Sequence, residues 1–497
     1  MICITPLIRR RAVCIPVNSL SGISSRRLLS TEAANPPAVA IVGGGAAGFY
    51  TAARLLAKLP TATVDIFEQQ PVPYGLVRYG VAPDHPEVKN CTTKFDQVAG
   101  DARVRLFNNT SVGDALPLSV LRQAYDAVVL AYGASEDRKL GIPGEDGAGG
   151  RVGVVSARMF VAWYNGLPLA QDVEMDLESS DRLVLVGHGN VALDCARILL
   201  TDPEVLACTD ITRRAVETLR RSRIRHVEMV GRRGPLQVAF TTKELREMTK
   251  IPGLQMVCDR RLLDSQCSSP EGAEYLAKSR SLKRMMEVLQ KHAVSEPSDA
   301  AQRTFTIRFL LSPLEMLYPE GQPQAMRFRV NRLEGPPAEA RAVPTDQVTE
   351  IPCAMALRSI GYASAPLRDC EFDPVRKIVP NVAGRVVDRN GALVPGMYCA
   401  GWVKSGPVGV IATTMQNAYQ TANAIASDIT SGNIATRPTA RSEIDRQLAA
   451  HGVFDRCVSN SDWKRLEAYE FAEGHKLNKP REKVTSIDEM LRIIRQQ

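Results

Sequence analysis

The chain of 497 residues has no cysteine pair of the C-x-x-C type, although it contains eleven cysteines. The odd number and irregular spacing are typical of reduced thiols rather than of a disulfide framework. The absence of paired cysteines excludes a redox dithiol and a cysteine cluster for zinc or an iron–sulfur centre. Any electrons that the protein carries must therefore reside on a bound organic cofactor.

Long apolar runs are also missing from the sequence. No stretch of 18 or more consecutive apolar residues occurs, so the sequence predicts no transmembrane helix. The hydrophobic fraction of 44% and the charged fraction of 23% are ordinary for a globular protein. A chain of this length predicts two to four domains with ample core.

Acidic residues are absent from residues 1–31, which instead carry five arginines and several serines. This composition predicts a mitochondrial transit peptide, processed near the Arg26-Arg27-Leu28-Leu29-Ser30 stretch, and hence a location in the mitochondrial matrix. A disordered basic tail is the alternative. Removal of the segment lowers the formal net charge from +8 to +3, and a body so mildly basic gives little support to nucleic-acid binding.

A strand, a glycine turn of the form G-x-G-x-x-G, a helix and a second strand follow one another over residues 38–68. Gly43 permits the tight turn, Gly45 lets the backbone approach a pyrophosphate, and Gly48 lets the helix pack closely on the sheet. Glu68 ends the second strand, where a carboxylate can accept hydrogen bonds from a ribose. The order and spacing predict a βαβ unit that binds a dinucleotide, with the pyrophosphate at the helix N-terminus.

Residues 69–86 are too rich in proline and glycine for a regular helix or a central strand. Long loops inside compact domains are usually functional, and this one begins beside the expected cofactor. His85 lies near its end. We predict that His85 is a proton-exchanging or electrostatic group, with an ordinary surface histidine as the alternative.

A second glycine turn follows another apolar strand over residues 182–194. Its form is G-x-G-x-x-A, with Gly187 and Gly189 as the glycines and Ala192 in the third position, which loosens the contact of helix and strand slightly. Two such units in one chain predict an α/β protein with two Rossmann-like dinucleotide-binding domains.

Arg232 and Arg233 end the next strand of the second unit, where a ribose-binding acid would otherwise stand. An acid would repel a 2′-phosphate, whereas paired guanidinium groups bind it through charge-assisted hydrogen bonds. The pattern predicts NADPH over NADH, and solvated surface charges are the alternative. The long interval from Gly189 to Arg232 predicts an additional helix over residues 207–223.

Basic residues gather in two further clusters, and either cluster suits an acidic protein partner. A solvated face is the alternative. Arg280 and Arg284 are four residues apart, so a helix would place them on one face. The clusters are Arg213, Arg214, Arg220, Arg221, Arg223 and Arg225, and then Lys278, Arg280, Lys283 and Arg284.

A strand, several glycines, a proline and the start of a helix follow one another over residues 396–413. The N-terminus of such a helix can face an electron-rich ring or an oxyanion. Trp402 could pack on a planar cofactor, or it could be a buried structural residue. Residues 260–305 and 332–347 are polar and are interpreted as surface insertions.

Five motifs between residues 42 and 415 carry a family likeness: VGGGAAGFYTA, PVPYGLVRYGVAPDHPEVKN, GHGNVALD, VGRRGPLQVAFTTKELREM and YCAGWVKSGPVGVIATTM. On these motifs the chain resembles the mitochondrial NADPH:adrenodoxin (ferredoxin) oxidoreductases, which belong to the glutathione-reductase-like class of flavoproteins. The resemblance implies an FAD-binding domain in two segments, 36–136 and 367–497, the second ending in a helical tail. An NADP-binding domain, 137–366, would be inserted between them.

The resemblance also implies roles for individual residues. Contacts to FAD are implied for Ala47, Glu68, Leu76, Val112, Trp402, Gly409, Val410 and Ile411. Contacts to NADP are implied for Gly187, His188, Gly189, Asn190, Arg232, Arg233 and Glu244, with Gly409 near the nicotinamide. The family usually has glutamine where His188 stands, and backbone contact there would make the difference minor. Arg280 and Arg284 match the region that docks the ferredoxin.

The implied reaction passes electrons from NADPH through FAD, singly, to an acidic [2Fe-2S] ferredoxin of the adrenodoxin type. Such a reaction requires orientation and electrostatics rather than a side-chain nucleophile. Cytochrome P450 systems and iron–sulfur cluster assembly are both compatible recipients, and the family is compatible with peripheral association with the inner mitochondrial membrane. A flavin monooxygenase and a redox-inactive nucleotide-binding protein are the alternatives, and the absence of paired cysteines excludes a disulfide reductase.

Overall fold

The structure is a computed structural model that describes residues 36–320, 324–434 and 441–496. The predicted leader, residues 1–31, lies outside the described residues. Two largely parallel sheets of seven strands each are covered by helices. None of the helices in the described ranges combines the length and the hydropathy that a bilayer-spanning helix needs.

The first sheet combines strands from distant parts of the chain. Ala38–Val42 lies between two other strands and is buried throughout, as expected where helices cover both faces of a sheet. Leu393–Cys399 pairs in parallel with Ala127–Leu130 and so completes a sheet that the early residues began. The strands in spatial order are Asn381–Val382, Arg385–Val387, Leu393–Cys399, Ala127–Leu130, Ala38–Val42, Thr63–Phe67 and Val104–Phe107.

The second sheet comes from one continuous stretch of chain and is parallel throughout. Its strand Arg182–Val186 is almost entirely valine and leucine, as expected for a strand buried on both faces. The strands in spatial order are Ala293–Val294, Leu254–Cys258, Arg303–Arg308, His226–Val230, Arg182–Val186, Met355–Arg358 and Val154–Ser156.

Two smaller antiparallel sheets accompany the large ones. Leu311–Leu317, Gln324–Glu334 and Arg341–Cys353 form a three-stranded sheet, in which the last two strands make a long hairpin. Glu136–Asp137 pairs with Tyr362–Ala363 where the chain leaves the first sheet and where it returns to it. This ribbon lies at the predicted limits of the inserted domain, whose boundaries stay a prediction.

The helices fill the connections between strands and the C-terminal region. Before the strand Arg182–Val186 they are Ala46–Lys58, Leu76–Tyr79, Thr92–Ala99, Leu118–Ala124 and Ala157–Tyr164. Around the second sheet they are Asn190–Leu200, Pro203–Ala207, Arg213–Arg221, Thr242–Met248, Arg260–Ser268, Pro270–Lys278 and Arg280–His292. After it they are Trp402–Ser405, Ile411–Thr430, Arg441–Ala450, Val453–Arg456, Asn460–Lys476 and Ile487–Arg495. Pro86–Cys91, Pro168–Ala170 and Pro235–Gln237 are 3₁₀ turns.

Residues near the C-terminus bind the second α/β unit. The Glu482 carboxylate accepts a hydrogen bond from the backbone N–H of Arg213 at 3.0 Å. The buried ammonium group of Lys483 lies 3.1 Å from a carboxylate oxygen of Asp210. The segment between the last two helices therefore contacts the second unit, so the C-terminal region is not confined to the first unit.

The interpretation of residues 260–305 as a surface insertion is wrong. This stretch forms three helices and the start of Arg303–Arg308, which lies between two other strands of the second sheet. Phe305 is fully buried, and the helix Arg280–His292 buries its apolar face. Charged residues on the outer faces of the helices make the sequence look polar although its inner faces belong to the core. The additional helix predicted within 207–223 is present as Arg213–Arg221.

Candidate dinucleotide sites

The first glycine turn has the geometry that its predicted role requires. Gly43 has a φ of +115°, and a Cβ atom there would lie 2.5 Å from the carbonyl oxygen of Ala131. A Cβ atom on Gly48 would lie 2.1 Å from the carbonyl oxygen of Gly43, so helix and strand approach too closely for a side chain. A Cβ atom on Gly45 would meet nothing within 4 Å, so this side of the turn is open to a ligand.

Glu68 lies next to this turn, at the end of the second strand. Its carboxylate accepts hydrogen bonds from the backbone N–H groups of Gly44, at 2.8 Å, and Gln70, at 3.0 Å. Burial raises the pKa of the Glu68 carboxyl group, and the two N–H groups oppose that shift. The hydrogen bonds fix the side chain beside the glycine turn, and its contact with a ribose stays a prediction.

Segments far apart in sequence meet at the N-terminus of the helix Ala46–Lys58. The backbone N–H of Tyr74 donates to the carbonyl oxygen of Gly44 at 2.7 Å, so the proline-rich loop lies against the turn. A Cβ atom on Gly401 would lie only 2.5 Å from the Cβ of Ala47, so residues 396–413 reach the same place. Two segments that carry predicted FAD contacts therefore reach the N-terminus of one helix.

The remaining predicted FAD residues lie at the edges of these segments. Leu76 begins the helix Leu76–Tyr79 and is 39% exposed. Val112 forms an isolated bridge with Leu116 after the strand Val104–Phe107. Val410 caps the helix that begins at Ile411 and is 60% exposed. An exposed apolar side chain at a helix start is what a planar ligand would cover.

The second glycine turn opens onto a cavity of about 880 Å³, within the range of cofactor sites. Gly187 has a φ of +126°, and a Cβ atom there would lie 2.1 Å from the carbonyl oxygen of Ser359. The cavity brings the turn, the two arginines and the third marked segment together. Its lining includes Gly187, His188, Gly189, Asn190, Arg232, Arg233, Trp402, Pro407 and Gly409.

The residues along this cavity suit a dinucleotide. A Cβ atom on Gly189 or Gly361 would meet nothing within 4 Å, so backbone is exposed to the cavity there. The indole Nε1 of Trp402 is buried without a hydrogen-bond partner in the described residues. Its ring lies 5.3 Å from that of Tyr362, which also lines the cavity. The exposed glycine backbone suits a pyrophosphate, and the indole N–H of Trp402, which lacks a partner in the described residues, suits a polar group on a planar ring. A dinucleotide provides both.

Arg232 and Arg233 present free guanidinium groups to this cavity. Both are exposed, and neither has a carboxylate within ion-pair distance in the parts of the chain that the structure describes. Two hydrogen bonds hold their backbone. Asn331 Nδ2 donates to the carbonyl oxygen of Arg232, and the N–H of Leu310 donates to that of Arg233, each at 3.1 Å. The backbone is thus fixed while the charges remain available to an anion.

His188 is a neutral residue of the second turn. Burial lowers the pKa of its imidazole to about 4, and Nε2 lies 3.2 Å from the carbonyl oxygen of Met229, to which it can donate. A Cβ atom on Gly231 would lie 2.4 Å from the ring, so glycine is required there. The imidazole therefore packs against protein atoms, and His188 also lines the cavity.

We expect a His188→Gln variant to resist acid better than the parent protein. In the unfolded chain this histidine binds a proton near pH 6.5, whereas in the folded protein it does so only near pH 4. Between these pH values protonation favours the unfolded state, so His188 lowers the free energy of unfolding as the pH falls. At pH 5 the effect is on the order of 1–2 kcal/mol, or roughly 2–5 °C in the unfolding midpoint. Circular dichroism at pH 7.5 and 5 measures it, with exposed His451→Gln as the control. If the unfolding midpoint fell equally in parent and variant between pH 7.5 and 5, the lowered pKa of His188 would be contradicted.

His85 and Glu244 lie together, and neither is among the described residues that line the main cavity. His85 Nε2 is 3.6 Å from a carboxylate oxygen of Glu244, and His85 Nδ1 is 3.2 Å from one of Glu87. His85 is not the exposed turn residue of the alternative interpretation, because its side chain is only 12% exposed. The cavity lining in the described residues does not include Glu244, so its predicted contact with NADP receives no support from this geometry and stays a prediction.

Sequence reasoning missed the ion pairs that hold this cluster. Arg197 is nearly buried and binds both Asp84, with nitrogen–oxygen distances of 2.5 and 3.0 Å, and Asp194, at 2.8 Å. Burial raises the pKa of Asp194 to about 6, against the effect of Arg197. Asp84 follows a proline in a loop and Arg197 lies within an apolar helix, so no local pattern indicates that the two would meet.

The fold and the cavity define a class of protein: an oxidoreductase that binds two dinucleotides. The family model for pyridine nucleotide-disulphide oxidoreductases matches residues 37–249. The mitochondrial NADPH:adrenodoxin oxidoreductase of Homo sapiens is 48% identical to the chain, and the match covers 92% of each. The enzyme of that name from Arabidopsis thaliana is 40% identical, over 94% of this chain and 97% of its own. FprA of Mycobacterium tuberculosis in complex with NADPH gives a TM-score of 0.83 at 38% identity and covers 92% of this chain and 99% of its own.

The chain therefore belongs to the family of mitochondrial NADPH:adrenodoxin oxidoreductases. Membership confirms the resemblance, the fold with two Rossmann-type domains, the enzyme class and the cofactor pair of FAD and NADPH that the sequence predicted. It also agrees with a mitochondrial location, since the relatives are named as mitochondrial enzymes.

Proposed function

We propose that the protein passes electrons from NADPH through FAD, one at a time, to a [2Fe-2S] ferredoxin in the mitochondrial matrix. The observation that supports this most directly is the shared lining of the main cavity. Residues of the second glycine turn and residues of the Trp402–Gly409 segment line the same space. A nicotinamide that enters from the turn would thus lie against the segment that also reaches the first glycine turn.

The chain's own residues bind and orient in this proposal. The glycine turn at Gly187–Asn190 would hold the pyrophosphate of NADPH at a helix N-terminus, while Arg232 and Arg233 would bind its 2′-phosphate. Trp402 and Gly409 would bound the nicotinamide end. FAD, when bound, supplies the ability to accept two electrons together and to release them singly. His85 remains a proposed proton-exchanging or electrostatic group.

The proposal is tested by NADPH-dependent reduction of cytochrome c, with and without a mitochondrial [2Fe-2S] ferredoxin. Strong dependence on the ferredoxin, with NADH a poor donor, would support it. Rapid oxygen uptake without ferredoxin would favour a flavin monooxygenase instead. Protein isolated without flavin absorbance and without activity would favour a redox-inactive nucleotide-binding protein.

The exposed face of the helix Arg280–His292 is the proposed docking surface for the ferredoxin. Ser279 caps this helix, and its apolar face is buried. Arg280, Lys283 and Arg284 are exposed on the other face, and none has a carboxylate within ion-pair distance in the described residues. Free charges of this kind suit an acidic partner and speed its association.

The other basic helix is a weaker candidate for docking, because neighbouring carboxylates already neutralise it in part. Arg220 pairs with Glu204 at 2.8 Å, and Arg221 pairs with Glu178 at 3.0 Å. An acidic partner would have to compete with these ion pairs. The helix therefore provides a matched control for charge reversal.

We expect reversal of Arg280 and Arg284 to glutamate to slow ferredoxin reduction by roughly 10- to 100-fold at low salt, because electrostatic steering is lost. Its salt dependence should weaken, while ferricyanide reduction by NADPH stays normal. Stopped-flow measurement of ferredoxin reduction gives the rates. The control reverses Arg220 and Arg221, which should have a much smaller effect. Equal losses with ferredoxin and ferricyanide would indicate damage to a cofactor site instead.

A further inference from the structure

A second cavity, of about 320 Å³, adjoins the main one at the two arginines. Arg232 and Arg233 line both cavities, so the two spaces adjoin at these residues. The opposite wall of the second cavity is residues 338–342, which are the end of the long hairpin's turn and the start of its second strand. A part of the chain about 100 residues away in sequence therefore borders the space beside the two arginines.

The hairpin is anchored where it faces the arginines. The side-chain amide of Gln237 donates to the carbonyl oxygen of Pro337 at 3.0 Å, and that of Asn331 donates to the carbonyl oxygen of Arg232 at 3.1 Å. Ala340, within the turn, is buried. These contacts fix the hairpin turn relative to the end of the strand His226–Val230, so the second cavity has two defined walls.

Arg341 is the third arginine in the lining of this cavity. It begins the strand Arg341–Cys353, is exposed, and has no carboxylate within ion-pair distance in the described residues. Arg332 on the neighbouring strand, by contrast, pairs with Glu334. Glu339 is the one carboxylate among the residues that line the second cavity. Three guanidinium groups against one carboxylate leave a surplus of two positive charges, which matches a phosphate dianion.

We propose that Arg341 is a third guanidinium of the subsite for the 2′-phosphate of NADPH, and that the hairpin turn encloses the adenosine end of the cofactor. The inference rests on the proposed function, in which Arg232 and Arg233 bind this phosphate. A phosphate monoester presents three terminal oxygens, which is more than two guanidinium groups satisfy, and a third donor from the opposite wall adds charge-assisted hydrogen bonds. NADH lacks the phosphate and gains nothing from Arg341.

The experiment compares 2′,5′-ADP with 5′-AMP as ligands of the full chain with its flavin bound. An Arg341→Ala variant should bind 2′,5′-ADP roughly 5- to 20-fold more weakly, as expected for loss of one hydrogen-bonded charge, and should bind 5′-AMP normally. Arg341→Lys should restore part of the affinity, since it keeps the charge but not the bidentate geometry. Isothermal titration calorimetry gives the dissociation constants.

Arg329→Ala is the matched control, because Arg329 is exposed on the same hairpin and does not line either cavity. This variant should bind both ligands normally. Unchanged affinity of Arg341→Ala for 2′,5′-ADP would overturn the proposal, as would an equal loss for 5′-AMP. If Arg341→Ala lost affinity for inorganic phosphate alone and kept its affinity for 2′,5′-ADP, the proposal would also be overturned, since the site would then bind free anions rather than the cofactor.

The same titration separates this inference from the proposed function. If Arg232→Ala/Arg233→Ala weakens 2′,5′-ADP while Arg341→Ala does not, only the role of Arg341 is wrong. If neither change affects 2′,5′-ADP, the phosphate binds elsewhere and the assumption beneath the inference is wrong.

Discussion

Replacement of Arg232 and Arg233 together by alanine raises the KM for NADPH by roughly 10- to 1000-fold, which corresponds to about 1.5–4 kcal/mol of lost charge-assisted hydrogen bonding. The effect is large because both guanidinium groups are exposed to the main cavity and have no competing carboxylate in the described residues. The KM for NADH changes little, since NADH has no 2′-phosphate. Steady-state ferricyanide reduction with each nucleotide measures both constants.

The control for this result is the pair Arg220→Ala/Arg221→Ala, which removes the same charge from a helix outside the cavity. This control variant should keep the preference for NADPH over NADH, because its lost charges lie outside the cavity. If the variant without Arg232 and Arg233 still prefers NADPH over NADH, these residues do not bind the 2′-phosphate.

The second large effect is expected from Gly43→Ala, which removes flavin from the purified protein. The methyl group must lie 2.5 Å from the carbonyl oxygen of Ala131 unless the turn shifts, and the φ of +115° adds strain on the order of 1–3 kcal/mol. The turn and the neighbouring strand belong to the same sheet, so relief of this contact displaces the predicted pyrophosphate site. We expect affinity for FAD to fall by at least about 100-fold, as measured by flavin absorbance and by titration of the flavin-free protein.

Gly45→Ala separates ligand contact from damage to the fold. Its methyl group meets no protein atom within 4 Å, so the unfolding midpoint of the flavin-free protein should stay unchanged. Flavin affinity should still fall, because the backbone can no longer approach the pyrophosphate. If Gly45→Ala binds FAD normally, this side of the turn does not face the cofactor.

Local patterns predicted the parts of the fold in which short-range geometry decides the structure. Gly43 and Gly48 lie where a side chain would collide with backbone, and the periodicity of the adjoining strands and helices follows from burial on the sheet. Arg303–Arg308 was misjudged because a strand placed between others by long-range pairing carries polar residues at its ends. Its position in the sheet depends on neighbours that the local sequence does not reveal.

The candidate sites show the same division. The glycine turns and the arginine pair each carry a local signal, and the structure places the second turn and both arginines on one cavity. The contacts of His85 with Glu244 and of Asp84 with Arg197 join separate elements, so they depend on the tertiary arrangement alone. Arg341 was not singled out for the same reason, since it borders the cavity only because the hairpin is anchored there.

The composition of the first sheet has a consequence for the order of events during synthesis. All strands of the second sheet lie within residues 154–358, so that unit can fold as soon as this stretch is available. Ala127–Leu130, made earlier, keeps one edge unpaired until Leu393–Cys399 has been synthesised. Unpaired edges recruit other strands and promote aggregation. The first sheet is thus begun first and completed last. The edge of Ala127–Leu130 stays exposed while the ribosome makes more than half of the chain.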